Sequence, residues 1–123
     1  MPNQIYLESL IPEDPDSSEN PTSLEIEEFP SVVGRAPECD QRIGNPLVSR
    51  RHCSFAHHDD QIWVRDLGSR NGTHLNGEPV IEERVIHDGD RLDIGYLPYR
   101  VHLSVPSRLG NLIHAMTGGK VLF

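Results

Sequence analysis

Turn chemistry recurs in this chain at intervals too short for helices, and that punctuation constrains its fold more than any other feature. His58-Asp59-Asp60, Gly68-Ser69-Arg70-Asn71-Gly72, Asn76-Gly77 and Asp88-Gly89-Asp90 follow one another through the second half. All draw on residues that initiate tight turns or tolerate positive φ. Asn76-Gly77 is the strongest of them, because both residues suit a type I′ hairpin. Between the turns the pattern alternates. Gln61 to Asp66 puts Ile62 and Val64 on one face and Trp63 and Arg65 on the other, and Tyr99 to Val105 puts Tyr99, Val101, Leu103 and Val105 on one face. Short strands punctuated about every 8–12 residues predict an all-β sandwich.

The remaining segments fit that frame. Strands are expected over 5–11, 24–27 and 32–35, with a token strand at Arg42-Ile43, then over 53–57, 73–75, 79–80, 84–86 and 91–94. Segments 12–23 and 36–47, interrupted by proline, are expected to be loops. Only 107–117 carries a helical period. Leu109, Leu112, Ile113 and Met116 fall at i, i+3, i+4 and i+7 after a possible N-cap at Ser107, and Gly118-Gly119 stops the run. The expected organisation is a β domain over 1–105, including an acidic loop 12–23, followed by a short amphipathic helix and tail over 106–123.

Charge sorts the function classes. Residues 1–34 hold eight acidic and no basic residues, whereas 35–123 hold eleven of each, ten of the basic ones arginine. A neutral body with local arginine clusters lacks the basic face that general nucleic-acid binding needs. No apolar run approaches the roughly 18 residues of a membrane span, and no leader pattern precedes a cleavage site. Cys39 and Cys53 have neither disulfide-framework nor metal-ligand spacing, so they are expected to be reduced thiols in a cytoplasmic protein.

The densest chemistry is Ser49-Arg50-Arg51-His52, a hydroxyl beside two guanidiniums on a loop entering a strand. Forked arginine donors suit phosphate, and serine adds a short donor. Gly34-Arg35 lies at an earlier strand end, and Ser69-Arg70-Asn71-Gly72-Thr73 forms a later turn before Asn76-Gly77. These stretches, in this order, resemble the forkhead-associated (FHA) domain, whose pattern runs Gly-Arg, Ser-Arg-x-His, Ser-x-Asn-Gly-Thr and an Asn-Gly hairpin. The run from Gly89-Asp90 through Leu92 and Ile94 to Gly95 also matches, so the resemblance covers roughly residues 5–105.

The resemblance implies an eleven-stranded β-sandwich of the FHA/SMAD-like kind that binds phosphothreonine peptides with loops at one end. By position, Arg35, Ser49 and Arg50 would contact phosphate and Asn71 the peptide main chain. Gly34, His52 and Gly72 would be architectural, with His52 bracing the loop, and Arg51 would be spare. Arg70 stands where family members frequently have threonine, and would either add a phosphate contact or point into solvent. A phosphothreonine carries about −1.5 to −2 charges and three acceptor oxygens, so several convergent donors are required. The residues alone also allow Ser49-Arg50 to pin its own loop.

The implied function is a phosphothreonine-dependent adaptor without catalysis, cofactor or metal, working with a Ser/Thr protein kinase. A phospho-independent scaffold or oligomerisation domain is the alternative. His57-His58-Asp59-Asp60 is a poor metal set, because adjacent ligands in one turn rarely satisfy tetrahedral geometry. Ser49, His52 and Asp66 carry triad residue types but no nucleophile turn, and Gly118-Gly119-Lys120 lacks phosphate-loop spacing. Arg35→Ala or Ser49→Ala is expected to abolish binding with melting temperature nearly unchanged. Finally, pairing of strand 24–29 with the strand ending at Arg35 would bring loop 12–23 near the arginines, where Thr22, once phosphorylated, could act as an internal ligand.

Overall fold

The alternation read from the sequence becomes two facing apolar surfaces. The computed structural model describes residues 2–16 and 22–104. It contains β1 (Gln4–Ser9), β2 (Leu24–Ile26), β3 (Ser31–Gly34), β4 (Gln41–Arg42), β5 (Cys53–His58), β6 (Gln61–Asp66), β7 (Thr73–Leu75), β8 (Glu78–Pro79), β9 (Arg84–Ile86), β10 (Arg91–Ile94) and β11 (Leu97–Ser104). A six-stranded sheet runs β2-β1-β11-β10-β7-β8, and a five-stranded sheet runs β4-β3-β5-β6-β9. Pro79 sits on an edge strand, where its missing N–H costs no ladder bond.

Leu7, Leu92, Ile94 and Val101 from the first sheet and Val33, Phe55 and Val64 from the second are all fully buried. Their burial at about 25 cal/mol per Å² of apolar surface supplies the dominant stabilisation. Ile62 and Val64 lie in the core as the period-2 pattern requires, and Asn76 and Gly77 have φ of 52° and 86°, as a type I′ turn demands.

The strand ends set up one loop-bearing end. Cys53 pairs with Val33 and with Asp66, so the end of β3, the start of β5 and the end of β6 coincide. Thr73 pairs with Ile94, and Leu97 follows across a two-residue turn. At the opposite end the Asn3 N–H donates to the Ser104 carbonyl at 3.0 Å, next to the Gln4–Ser104 pair.

One expected pairing is corrected. β2 pairs with β1, through Ile5–Ile26 and Leu7–Leu24, and lies in the other sheet from β3. Residues 27–30 cross between the sheets instead of closing a hairpin. What the pairing with β1 does place is the two ends of that connection. Ser9 pairs with Tyr99 near the start of β11, so the β1–β2 connection leaves and re-enters at the loop-bearing end. Its neck is fastened by the Ser9 N–H donating to Ser23 Oγ at 3.0 Å. The first strand is also shorter than expected. Leu10 still donates its N–H to the Pro98 carbonyl at 3.0 Å, but Pro12 follows and the ladder ends. The helix expected over 107–117 lies outside the described residues.

Candidate functional site

Gly34 carries the first arginine and explains its own identity. A Cβ there would collide with the carbonyl oxygen and carbon of Arg50. This close approach lets the main chains zip together: Arg35 N–H donates to the Ser49 carbonyl at 2.9 Å and Ala36 N–H to the Arg50 carbonyl at 3.1 Å. The Cys39 thiol also donates to the Arg50 carbonyl, at 3.0 Å. Arg35 Nε donates to the Val48 carbonyl at 3.0 Å, which aims the guanidinium and leaves both terminal nitrogens without a partner among the described residues. Among the described residues the Arg50 guanidinium pairs with Glu38 alone, at 3.7 Å, with its side chain 61% exposed. Such an exposed ion pair is weak and easily exchanged for a ligand.

His52 is wholly buried and acts as a strut between two loops. Its Nδ1 accepts the Ser49 backbone N–H at 3.0 Å, and its Nε2 lies 2.8 Å from the Gly72 carbonyl. A backbone N–H can only donate and a carbonyl can only accept, so the ring is neutral with its proton on Nε2. Burial lowers its pKa, and this outweighs the Gly72 hydrogen bond and the Asp66 charge, which act in the other direction. The Gly72 carbonyl also accepts the Gly95 N–H at 3.1 Å, which ties in the β10–β11 turn.

The second loop is folded around Asp66. Its Oδ2 accepts the N–H groups of Gly68 at 2.9 Å and Ser69 at 3.0 Å, while Oδ1 accepts the hydroxyls of Ser69 at 2.6 Å and Thr73 at 2.7 Å. Burial alone would push this carboxyl up, but those four bonds outweigh it and hold the pKa below the ordinary carboxylate value. Ser69 Oγ in turn accepts the Gly72 N–H at 2.9 Å. Sequence reasoning met Asp66 only as a triad candidate. The signal available was a carboxylate followed two and three residues later by Gly68 and Ser69, a side-chain-capped turn.

The two loops then join. Ser49 Oγ accepts the Arg70 N–H at 2.9 Å, and its hydroxyl hydrogen has no acceptor among the described residues. Asn71 Nδ2 donates to the Leu47 carbonyl at 2.8 Å, which fixes the amide, and Oδ1 has no donor among the described residues. Of the residues singled out from sequence, Arg35, Ser49, Arg50 and Asn71 are thus joined through these two loops, with Gly34, His52 and Gly72 holding them. Arg70 contributes its main chain, and its side chain is exposed like that of Arg51. His52 does not touch the Ser49 hydroxyl, and Asp66 is committed to its own turn, so these three residues form no relay. Among the described residues no three His, Cys, Asp or Glu side chains converge as a metal site would require.

This arrangement is a β-sandwich with hydrogen-bond donors gathered on loops at one end. Residues 31–95 match the FHA domain model, and the chain belongs to the FHA family of phosphothreonine-binding domains. It is similar to the oxoglutarate dehydrogenase inhibitor of Corynebacterium jeikeium, 39% identical over 70 residues that make up 57% of this chain and 48% of the relative. It is also similar to the glycogen accumulation regulator GarA of Mycobacterium tuberculosis, 42% identical over 63 residues, 51% of this chain and 38% of the relative. The chain therefore spans about half the length of these curated relatives, or less. A solved FHA domain described in connection with phosphothreonine-dependent FHA interactions superposes with a TM-score of 0.66 at 24% identity, covering 84% of this chain and 99% of its own, which shows the shared fold. No helix among the described residues is long and apolar enough to cross a membrane.

Proposed function

We propose that this domain captures a phosphothreonine on a partner protein through Arg35, Ser49, Arg50 and Asn71, with Arg70 at the rim, and that it acts by binding and not by catalysis. The observation that carries this reading is the set of unspent hydrogen-bonding groups on two interlocked loops: the terminal nitrogens of Arg35, the guanidinium of Arg50, the hydroxyl hydrogen of Ser49 and the Asn71 carbonyl oxygen. Three of these groups donate to an anion, and the fourth accepts from a main-chain N–H beside it. Each charge-assisted bond is worth about 1.5–3 kcal/mol, so together they suffice for a phosphate-dependent module. A Ser/Thr kinase supplies the ligand. The relatives named as oxoglutarate dehydrogenase inhibitors support a regulatory partner of that class.

The acidic β1–β2 connection gives the site a ligand from its own chain. Thr22 is exposed beside the neck at Ser23 and, once phosphorylated, would compete for the arginines. Titration of phosphothreonine and matched unmodified peptides, followed by fluorescence polarisation, tests the main reading, and equal affinities would overturn it. For the internal ligand, deleting residues 12–22 raises the affinity of the phosphorylated chain for added peptide; an unchanged affinity excludes the competition.

A further inference from the structure

At the end of the sandwich away from the arginines, a groove of about 530 Å³ opens between the two sheets. One wall comes from β6 and β9, the other from the last residues of β11. Ile62 and Ile86 pair across β6 and β9 and form its buried floor. Val85, Leu103 and Pro2 line it while only half-buried. Leu103 packs on the core with one side and presents the other to the groove. Among the described residues nothing covers this apolar surface, and burying it would be favourable.

Position, charge and an orphaned acceptor identify the cover. Ser104 itself lines the groove, and Pro106, two residues on, lacks the N–H that would extend the β11 ladder. The chain therefore leaves the sheet at the groove. Leu109 follows within about 17 Å of extended chain. From there Leu109, Leu112, Ile113 and Met116 recur on one face at helical spacing, about 10 Å from first to last. Residues 105–123 contain no Asp or Glu but carry Arg108 and Lys120, whereas Asp60 and Asp88 rim the groove. Asp88 Oδ1 accepts the Leu103 N–H at 2.8 Å, and its Oδ2 has no donor among the described residues. Asn3 adds an independent sign. Its N–H donates to the Ser104 carbonyl at 3.0 Å, yet its Oδ1 is buried with no donor among the described residues. Buried acceptors are ordinarily met, and the chain just past Ser104 is placed to supply the donor.

We propose that this groove is the seat of residues 107–117 of the same chain. The segment lays Leu109, Leu112, Ile113 and Met116 over Val85, Leu103 and Pro2 and brings Arg108 to the rim formed by Asp60 and Asp88. It closes the open end of the sandwich from outside the β-framework. Because the seat lies at the far end from Arg35 and Ser49, occupying it leaves the anion-binding loops unobstructed.

Nuclear Overhauser spectra of the methyl-labelled, full 123-residue chain test this. Cross-peaks are expected from Leu109 and Met116 to Val85, Ile86 and Leu103. Amides over 109–117 should exchange about ten-fold slower than in the double variant Leu112→Ser, Ile113→Ser, which exposes them. In that variant the Leu109 and Met116 cross-peaks vanish, while the amide shifts of Arg35 and Ser49 stay where they were. Absence of the cross-peaks in the wild type, or slow exchange that survives the double substitution, overturns the proposal. Cross-peaks that arise only between differently labelled chains in a mixed sample also overturn it, and assign the groove to a second copy.

Discussion

Replacing His52 with alanine is the most informative single perturbation of this domain. The imidazole is wholly buried and bonds the Ser49 N–H at 3.0 Å and the Gly72 carbonyl at 2.8 Å. Removing it leaves the Ser49 N–H without a partner, at about 1–3 kcal/mol, and takes from the Gly72 carbonyl one of its two donors, at about 0.5–1.5 kcal/mol, the Gly95 N–H remaining. The vacated ring volume adds a cavity cost of about 1–2 kcal/mol where the two loops cannot collapse. Together these give a loss of about 2.5–6.5 kcal/mol, a large share of the roughly 5–15 kcal/mol typical of a domain. Urea unfolding at pH 7.5, with slopes held in common, measures it. Phosphopeptide affinity should fall as well, because Ser49 and Asn71 sit on the two loops the ring joins. A loss below about 1 kcal/mol would refute the strut.

The same geometry fixes the sign of a pH effect. A proton on Nδ1 would evict the Ser49 N–H, so the native state holds the ring neutral and its pKa lies below the unfolded value of about 6.5. As pH falls below that value the unfolded chain takes up the proton first. The stability contributed by neutral His52 is thus complete above about pH 6.5 and is lost progressively toward the depressed native pKa. His58, whose pKa is raised first by its Asp59 hydrogen bond, works in the opposite direction. The comparison is therefore wild type against His52→Gln, and the gap between their stability curves should narrow as pH falls from 7.5 to 5.

Four further substitutions separate binding from architecture. Arg50→Ala removes only an exposed 3.7 Å ion pair, so urea stability should stay within about 0.5 kcal/mol while phosphopeptide affinity drops about ten-fold or more by fluorescence polarisation. Arg35→Ala differs from the sequence expectation of an unchanged melting temperature: it also breaks the bond to the Val48 carbonyl, so a loss of about 1 kcal/mol should accompany the loss of binding. Gly34→Ala forces a methyl group onto the Arg50 carbonyl; neither main chain can give way, and urea unfolding should show at least 1–3 kcal/mol lost, roughly the cost of overpacking. Asp66→Asn keeps the size of the side chain but presents an NH2 to groups that themselves donate, so about 2–4 kcal/mol should be lost. In the wild type the Asp66 contribution disappears as pH falls below about 3.9 toward its lowered native pKa.

Much of this was legible in the residues. Ile62, Val64, Tyr99 and Val101 announced their faces by simple alternation, and Asn76-Gly77 announced its turn, because both signals are local. The candidate site residues were legible as types in order: Gly34-Arg35, Ser49-Arg50 and Asn71-Gly72. Partnership was harder to read. Leu24 to Ile26 alternates like any half-buried strand, and nothing in that period says which sheet it joins. The choice of β1 depends on contacts with Ile5 and Leu7, far away in sequence. Asp66 was similarly hidden, since four bonds converge on it only once the turn from Gly68 to Thr73 has closed. The Gly95–Gly72 tie joins residues that share no pattern, so the seating of the β10–β11 turn against the second loop also went unread.

The hydrogen bond from Asn3 to Ser104 has a practical consequence. It brings the two ends of the β-framework together at about 5 Å, one strand spacing, on the side away from the arginines. β11 has eight residues and spans about 27 Å, so the ligand loops project roughly that far from the junction. Spliced through positions 3 and 104 into a surface turn of another protein, the domain would enter and leave its host at nearly the same point. Its recognition surface would face outward and the host would scarcely be stretched. The fold is in that sense a socket mounted on a narrow stem, suited to transplantation as a phosphorylation reporter.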